Sequence, residues 1–245
     1  MNVSQSTKAK TKAKILEAAV ELMMVKGYKA TSLREIAKLA GVSNPTIYNY
    51  FPNKERILYG YIEQKLLETE TILLGIEDFH TYSLREQLQT LIETELELFL
   101  EDREFVMEVM QMALPPAMGS MKLLEGAKRH FEQMVGDMLS IAIEAEEIDA
   151  PPFEEYIPTL LWDYNIAVIL YWIKDESEMF ENTTQFIDNS MGVIEALLRS
   201  NVLQKASDFG MFIFKTHMLS TLERFSSRQG GVNKLKRKLG EVWRG

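Results

Sequence analysis

The chain has 245 residues, 46% of them apolar, a formal net charge of −9 and no cysteine. That apolar content fills the core of one large or two small globular domains, and the missing cysteine excludes disulfides, thiolate metal sites and cysteine nucleophiles, as suits a reducing cytoplasm. No run near 20 apolar residues occurs, so no transmembrane helix is expected, and Glu17 and Glu21 interrupt the stretch that a secretory signal would need behind the basic N-terminus.

The charge is unevenly spread. Residues 1–62 carry ten Lys/Arg against four Asp/Glu, whereas the rest carries 17 against 32. A basic end suits a polyanion, and an acidic body keeps the whole dispersed.

Taken in chain order, nearly every segment predicts helix. The first runs from about Lys8 to Lys26, with Ile15, Leu16, Ala19, Val20, Leu22 and Met23 at helical spacing and Gly27 as its stop. Lys8, Lys10, Lys12 and Lys14, at its start, read as a solvated tail, with an arm toward DNA as the other reading. "SLRE", Ser32 to Glu35, is a capping box that opens the second helix, and Leu33, Ile36, Ala37 and Ala40 form its inward face. Gly41 permits a left-handed turn residue, Ser43 caps a third helix, and Pro45 is tolerated in its first turn. "PNKE" opens a fourth, from about Lys54 to Leu74. Further helices are expected at about 84–101, 103–113, 117–147, 154–174, 178–201, 205–227 and 232–243, with breaks at Pro115–Pro116 and Pro151–Pro152. Only "DESE" separates Tyr156–Ile173 from Met179–Leu198, which predicts an antiparallel pair.

Two short helices joined by "LAGVS" and wedged onto a longer one make a helix-turn-helix, whose second helix lies in the DNA major groove. Ile47 and Phe51, four apart, point inward with Val42, Ile57 and Leu58. Asn44, Thr46, Tyr48 and Asn49 are left on outward or flanking faces, with polar groups suited to base edges and phosphates. Thr31 and Lys54 flank that helix, where they would clamp backbone phosphates.

"ILEAAVELMMVKGYKATSLREIAKLAGVSNPTIYNYFPNKERIL" resembles the N-terminal domain of the TetR family of bacterial transcriptional regulators, without a gap over about residues 10–60. The resemblance implies an all-α chain: a three-helix DNA-binding domain over residues 1–54, a connecting fourth helix, and an acidic helical domain for effector binding and dimerisation over 55–245, with an extension at about 204–245. It implies a cytoplasmic homodimer, more often repressor than activator, on double-stranded DNA with a palindromic operator. By position, Thr31 and Lys54 resemble phosphate contacts. Asn44, Pro45, Thr46, Tyr48 and Asn49 resemble reading-helix contacts, with Tyr48 often on phosphate. Arg34 matches a position that reaches a base in some members, and Ser43 resembles the cap and a phosphate donor. Tyr50 stands open between phosphate contact and partial core.

The body carries no motif of that strength. "YWIKDESEMFENTTQFIDNS" resembles a segment of some TetR-like regulators. Half of the methionines, Met107, Met110, Met112, Met118, Met121, Met134 and Met138, fall between residues 106 and 138. They suit either a pocket for varied apolar shapes or an irregular core. Met107, Met110, Met121, Met134, Phe105, Trp162, Asn165 and Tyr171 are the pocket candidates, for a small apolar or amphipathic effector. Tyr156–Ile173 and Met179–Leu198 are the expected dimer surface. The basic amphipathic segment "VNKLKRKLGEVWR" is expected to pack on the acidic body, so membrane contact is not expected. His80, His130 and His217 lack metal-ligand spacing, and no nucleophile, phosphate-loop or dinucleotide signature occurs. No cofactor, no metal and no enzymatic activity are therefore expected. The alternative reading is a TetR-like helical protein that binds a lipid or a protein partner without specific DNA binding.

Overall fold

The computed structural model describes residues 3–113 and 124–200, with 202, 205, 208 and 209, and their side chains from Ser6 onward. Among the described residues the architecture is all-α. Its helices are α1 (Val3–Lys26), α2 (Leu33–Leu39), α3 (Asn44–Tyr50), α4 (Lys54–Gly75), α5 (Leu84–Phe99), α6 (Arg103–Ala113), α7 (Glu125–Glu144), α8 (Ile157–Lys174) and α9 (Glu181–Arg199). Of the described residues, those up to 149 and those from 153 to 195 form one compact unit, and 150–152 with those from 196 onward fall in a second. In the second, the side chains of Val202 and Phe209 are exposed.

Helix α1 begins earlier than its apolar pattern predicts. The Lys/Ala-rich stretch before Ile15 is made of strong helix formers, so it joins the helix instead of trailing from it. The Pro115–Pro116 break, Met118, Met121, the helix expected at 232–243 and all but residues 205, 208 and 209 of that expected at 205–227 lie outside the described residues, and the helix expected from 117 is described from Glu125.

The head is α1 to α3 packed on the start of α4. Ile15, Ala19, Met23, Ile36, Ala37, Ile47, Phe51, Ile57 and Leu58 are buried together in this part of the chain. Glycine in mid-helix costs about 1 kcal/mol against alanine, and Gly60 in α4 has a packing reason. A β-carbon there would stand 2.7 Å from Phe51 Cε1, so the ring lies against bare backbone. Helix α4 continues out of the head and packs on α5 and α7, while α7 packs on α8. Leu91, Phe99, Phe131, Val135, Val168 and Ile169 fill the body core.

Helices α8 and α9 run antiparallel. Tyr164 Oη and Ser190 Oγ share a 2.6 Å hydrogen bond, and farther along the rings of Tyr171 and Phe186 stack at 4.8 Å. Between them Asp175 closes the turn, accepting at 2.6 to 2.9 Å from the amides and hydroxyls of Ser177 and Thr183. Burial alone would raise the Asp175 pKa, but these donors hold it well below the usual carboxylate range. Arg103 of α6 donates to Trp172, Ile173 and Asp175 carbonyls at 2.6 to 3.0 Å, capping the end of α8.

Candidate functional site

The turn between α2 and α3 is built from local caps. Ser32 Oγ accepts from the Glu35 amide at 3.3 Å, and the Ser32 amide donates to Glu35 Oε2 at 3.0 Å. Lys26 donates to the same carboxylate at 2.7 Å, and with Ser32 it holds the Glu35 pKa down to about 2. Gly41 sits at φ +66, the left-handed turn its position required. Ser43 Oγ accepts from the Thr46 amide at 3.2 Å and lies 2.7 Å from Thr46 Oγ1.

Helix α3 thus starts on a satisfied cap and is anchored by Ile47, with Phe51 just beyond it, both buried. Arg34, Ser43, Asn44, Pro45, Tyr48 and Asn49 are exposed, Tyr48 by 55%. Thr46 and Tyr50 are half-buried. The two flanking residues are placed differently from the expected phosphate clamp. Thr31 is 2% exposed, and its hydroxyl donates to Gly27 O at 3.0 Å, so its proton is spent inside the turn. Lys54 Nζ donates to Tyr28 O at 2.6 Å and lies 4.4 Å over the Tyr28 ring. That ring's hydroxyl has a raised pKa from burial and from nearby Glu55, Tyr59 and Glu108.

The body holds a cavity of about 510 Å³ between α6, α7 and α8. Met110, Ala113, Leu124, Trp162 and Ile166 give it an apolar floor. Glu125, Lys128, Arg129, Glu132 and Asp163 give it a charged rim, on which Thr159 donates to Glu132 at 2.6 Å. Of the pocket candidates, the structure brings Met110 and Trp162 to this cavity. Phe105, Met134 and Asn165 are buried away from it, because Phe105 meets Tyr61 at 4.9 Å and Asn165 donates to Glu95 at 2.7 Å. Met107 and Tyr171 are 38% and 42% exposed and also lie outside it. Met121 lies outside the described residues. The rim residues were missed, although 125, 128, 129 and 132 have the i, i+3, i+4, i+7 spacing of one helix face. Nothing local shows that this face borders a void.

Glu95 and Asn165 form a buried polar pair in the body core. Burial pushes the Glu95 pKa up to about 7 against the pull of the Asn165 hydrogen bond, and Asn165 Oδ1 has no partner. Among the described residues there is no group of three His, Asp or Glu that could hold a metal ion, and no helix long and apolar enough to cross a membrane.

Comparison with known proteins decides the family. Residues 15–59 match the model of bacterial regulatory proteins of the tetR family, and residues 87–213 match the tetracyclin repressor-like C-terminal domain. The chain belongs to the TetR family. It is 36% identical over 105 residues to the uncharacterized HTH-type transcriptional regulator YuxN of Bacillus subtilis. That match spans 41% of this chain and 35% of that protein, about a third of its length. A TetR-family regulator from Syntrophomonas wolfei superposes with a TM-score of 0.61 at 19% identity, covering 77% of this chain and 96% of that one. The regulator FadR from Bacillus subtilis, solved in complex with stearoyl-CoA, gives 0.57 at 20% identity, covering 78% and 98%. At such identities the two structures establish the shared fold.

Proposed function

We propose that this protein is a homodimeric, effector-responsive regulator of transcription, a repressor that leaves a palindromic operator when a small apolar or amphipathic molecule binds its body. One observation carries the reading. Asn44, Pro45, Tyr48 and Asn49 stand exposed on a capped helix whose opposite side is pinned by Ile47. Such a face meets base edges and phosphates, as the second helix of this motif does. On binding, Lys54 exchanges the Tyr28 carbonyl for a phosphate oxygen, a stronger, charge-assisted partner.

Dimerisation brings two such heads to half-sites about 34–36 Å apart or a multiple of it. The outer faces of α8 and α9 support it, since Leu160 and Tyr171 of the strongly apolar α8 and Val193 of the amphipathic α9 are each more than 40% exposed. The cavity supports the effector: its volume lies within the range of small-molecule sites, its floor is apolar and its rim is polar. FadR from Bacillus subtilis was solved with stearoyl-CoA, which makes acyl compounds the first effectors to try.

The test is selection of DNA from a random-sequence pool, followed by binding across a salt series. Specific binding should weaken steeply with salt through counterion release, and Lys54→Ala should lower the log–log slope by about 1. If no fragment is enriched over random sequence at moderate salt, the repressor reading fails and the lipid- or partner-binding alternative takes its place.

A further inference from the structure

Helix α7 shows two faces to two different neighbours within its first two turns. Glu125, Lys128, Arg129 and Glu132 edge the cavity. Gly126 and His130, one turn apart, face α4. A β-carbon on Gly126 would overlap Glu63 Oε1 and lie 3.0 Å from its Cδ, so the Glu63 carboxyl group occupies the notch that glycine leaves. Two turns along α4, Glu70 Oε2 lies 3.1 Å from His130 Nε2, near enough to pair though not aligned as a hydrogen bond. Glu63 also reaches the other way. Its Oε2 is 3.5 Å from Lys12 Nζ in α1, the first helix of the head. One carboxylate therefore touches both the helix that walls the cavity and the helix that carries the reading head.

We propose that Gly126 and Glu63 form the joint through which α7 sets the position of the head, with Glu63 a positioning residue for DNA recognition. The functional consequence rests on the DNA-binding reading above; the mechanical one does not. An occupant of the cavity presses on α7. At Gly126 the helix has no side chain to absorb the displacement, and the Glu63 carboxyl group already fills the space against its backbone. The first group it meets is the Glu63 carboxylate, and behind that stands Lys12. The Lys12–Glu63 pair is 29% and 39% exposed, so it adds little to stability. The joint should therefore read out in affinity and geometry more than in melting temperature.

The test is a double-mutant cycle on the full chain with Gly126→Ala, Glu63→Ala and both together. Alanine is the better helix former, so Gly126→Ala favours folding of α7 while its methyl expels the Glu63 carboxylate. Affinity is measured for a DNA fragment that the wild type selects from a random pool. The native chain has no cysteine, so Lys38→Cys on α2 and Lys174→Cys on α8 take spin labels cleanly for distance measurement, with labelled protein diluted into unlabelled. Gly126→Ala should weaken DNA binding by about fivefold or more and shift or broaden the distance distribution. In the Glu63→Ala background the same substitution should change neither, within about twofold. An equal loss with and without Glu63, or an unchanged distance distribution in Gly126→Ala, overturns the joint. If the wild type selects no DNA, the regulator reading fails, and the distance measurement alone decides the joint.

Discussion

The head and the body treat polar side chains in opposite ways. In the head, most polar groups near the turn face out from α3 or cap a helix three residues away, as in Ser32 with Glu35, Ser43 with Thr46 and Asn53 with Arg56, while Thr31 and Lys54 hold carbonyls of the loop after α1. In the body several are partly or wholly buried and pair across long stretches of chain. Asn165 meets Glu95, Thr159 meets Glu132, and Arg103 meets the carbonyls at the end of α8. The head's few apolar side chains hold a platform whose polar surface is free for a partner. The body encloses Glu95 with Asn165, and that burial couples the Glu95 proton to folding.

The strongest way to break this comparison is Phe51→Ala. The ring is 3% exposed and lies against the bare backbone of Gly60, so its loss leaves a cavity in a small core. The expected cost is about 3–5 kcal/mol. Hydrogen exchange should show protection lost across α1 to α3 while α5, α7 and α8 keep theirs. Uniform loss over all helices would show that head and body unfold as one, and the contrast between them would hold for chemistry only.

Glu95→Gln sharpens the body's side of it. The folded Glu95 pKa stands at about 7, above its ordinary 4.5, so the folded chain binds the extra proton between these values. Stability is then fullest below pH 4.5 and falls as pH rises through 7, where the native state must hold a buried charge. At 1.36 kcal/mol per unit the loss at pH 8 is on the order of 3 kcal/mol. The amide that replaces the carboxyl group would still accept from Asn165 and would carry no charge. The variant should therefore match the wild type near pH 5, exceed it at pH 8, and flatten the denaturation midpoint against pH. An equal slope in both proteins would assign the pH dependence elsewhere.

These two sites also mark how far the sequence could be read. The caps, Gly41 and the inward Ile47 and Phe51 were legible because each is decided by residues three or four apart, and a helix fixes what lies at that spacing. Thr31 and Lys54 were legible as positions and not as partners. Their partners are the carbonyls of Gly27 and Tyr28, in a loop whose course no side-chain pattern records. Glu95 and Asn165 lie 70 residues apart, and neither has a local sign of its mate. A single turn of α6 separates exposed Met107 from buried Met110, and only the neighbouring helices decide which one reaches the cavity.

The smallest expected effect is at Ser43, where cap and contact coincide. Its hydroxyl oxygen accepts from the Thr46 amide, and the side chain is exposed beside Asn44. Ser43→Ala removes the cap and should cost about 1 kcal/mol. Ser43→Asp keeps an acceptor for the Thr46 amide and adds a negative charge where the helix dipole welcomes one, so stability should stay near that of the wild type. If DNA phosphates approach this end of α3, the same charge repels them. Ser43→Asp should then weaken DNA binding more than Ser43→Ala does while folding better. Binding that tracks stability across the two variants would mean that Ser43 supports the helix and meets no DNA, leaving Asn44, Tyr48 and Asn49 to make the contact alone.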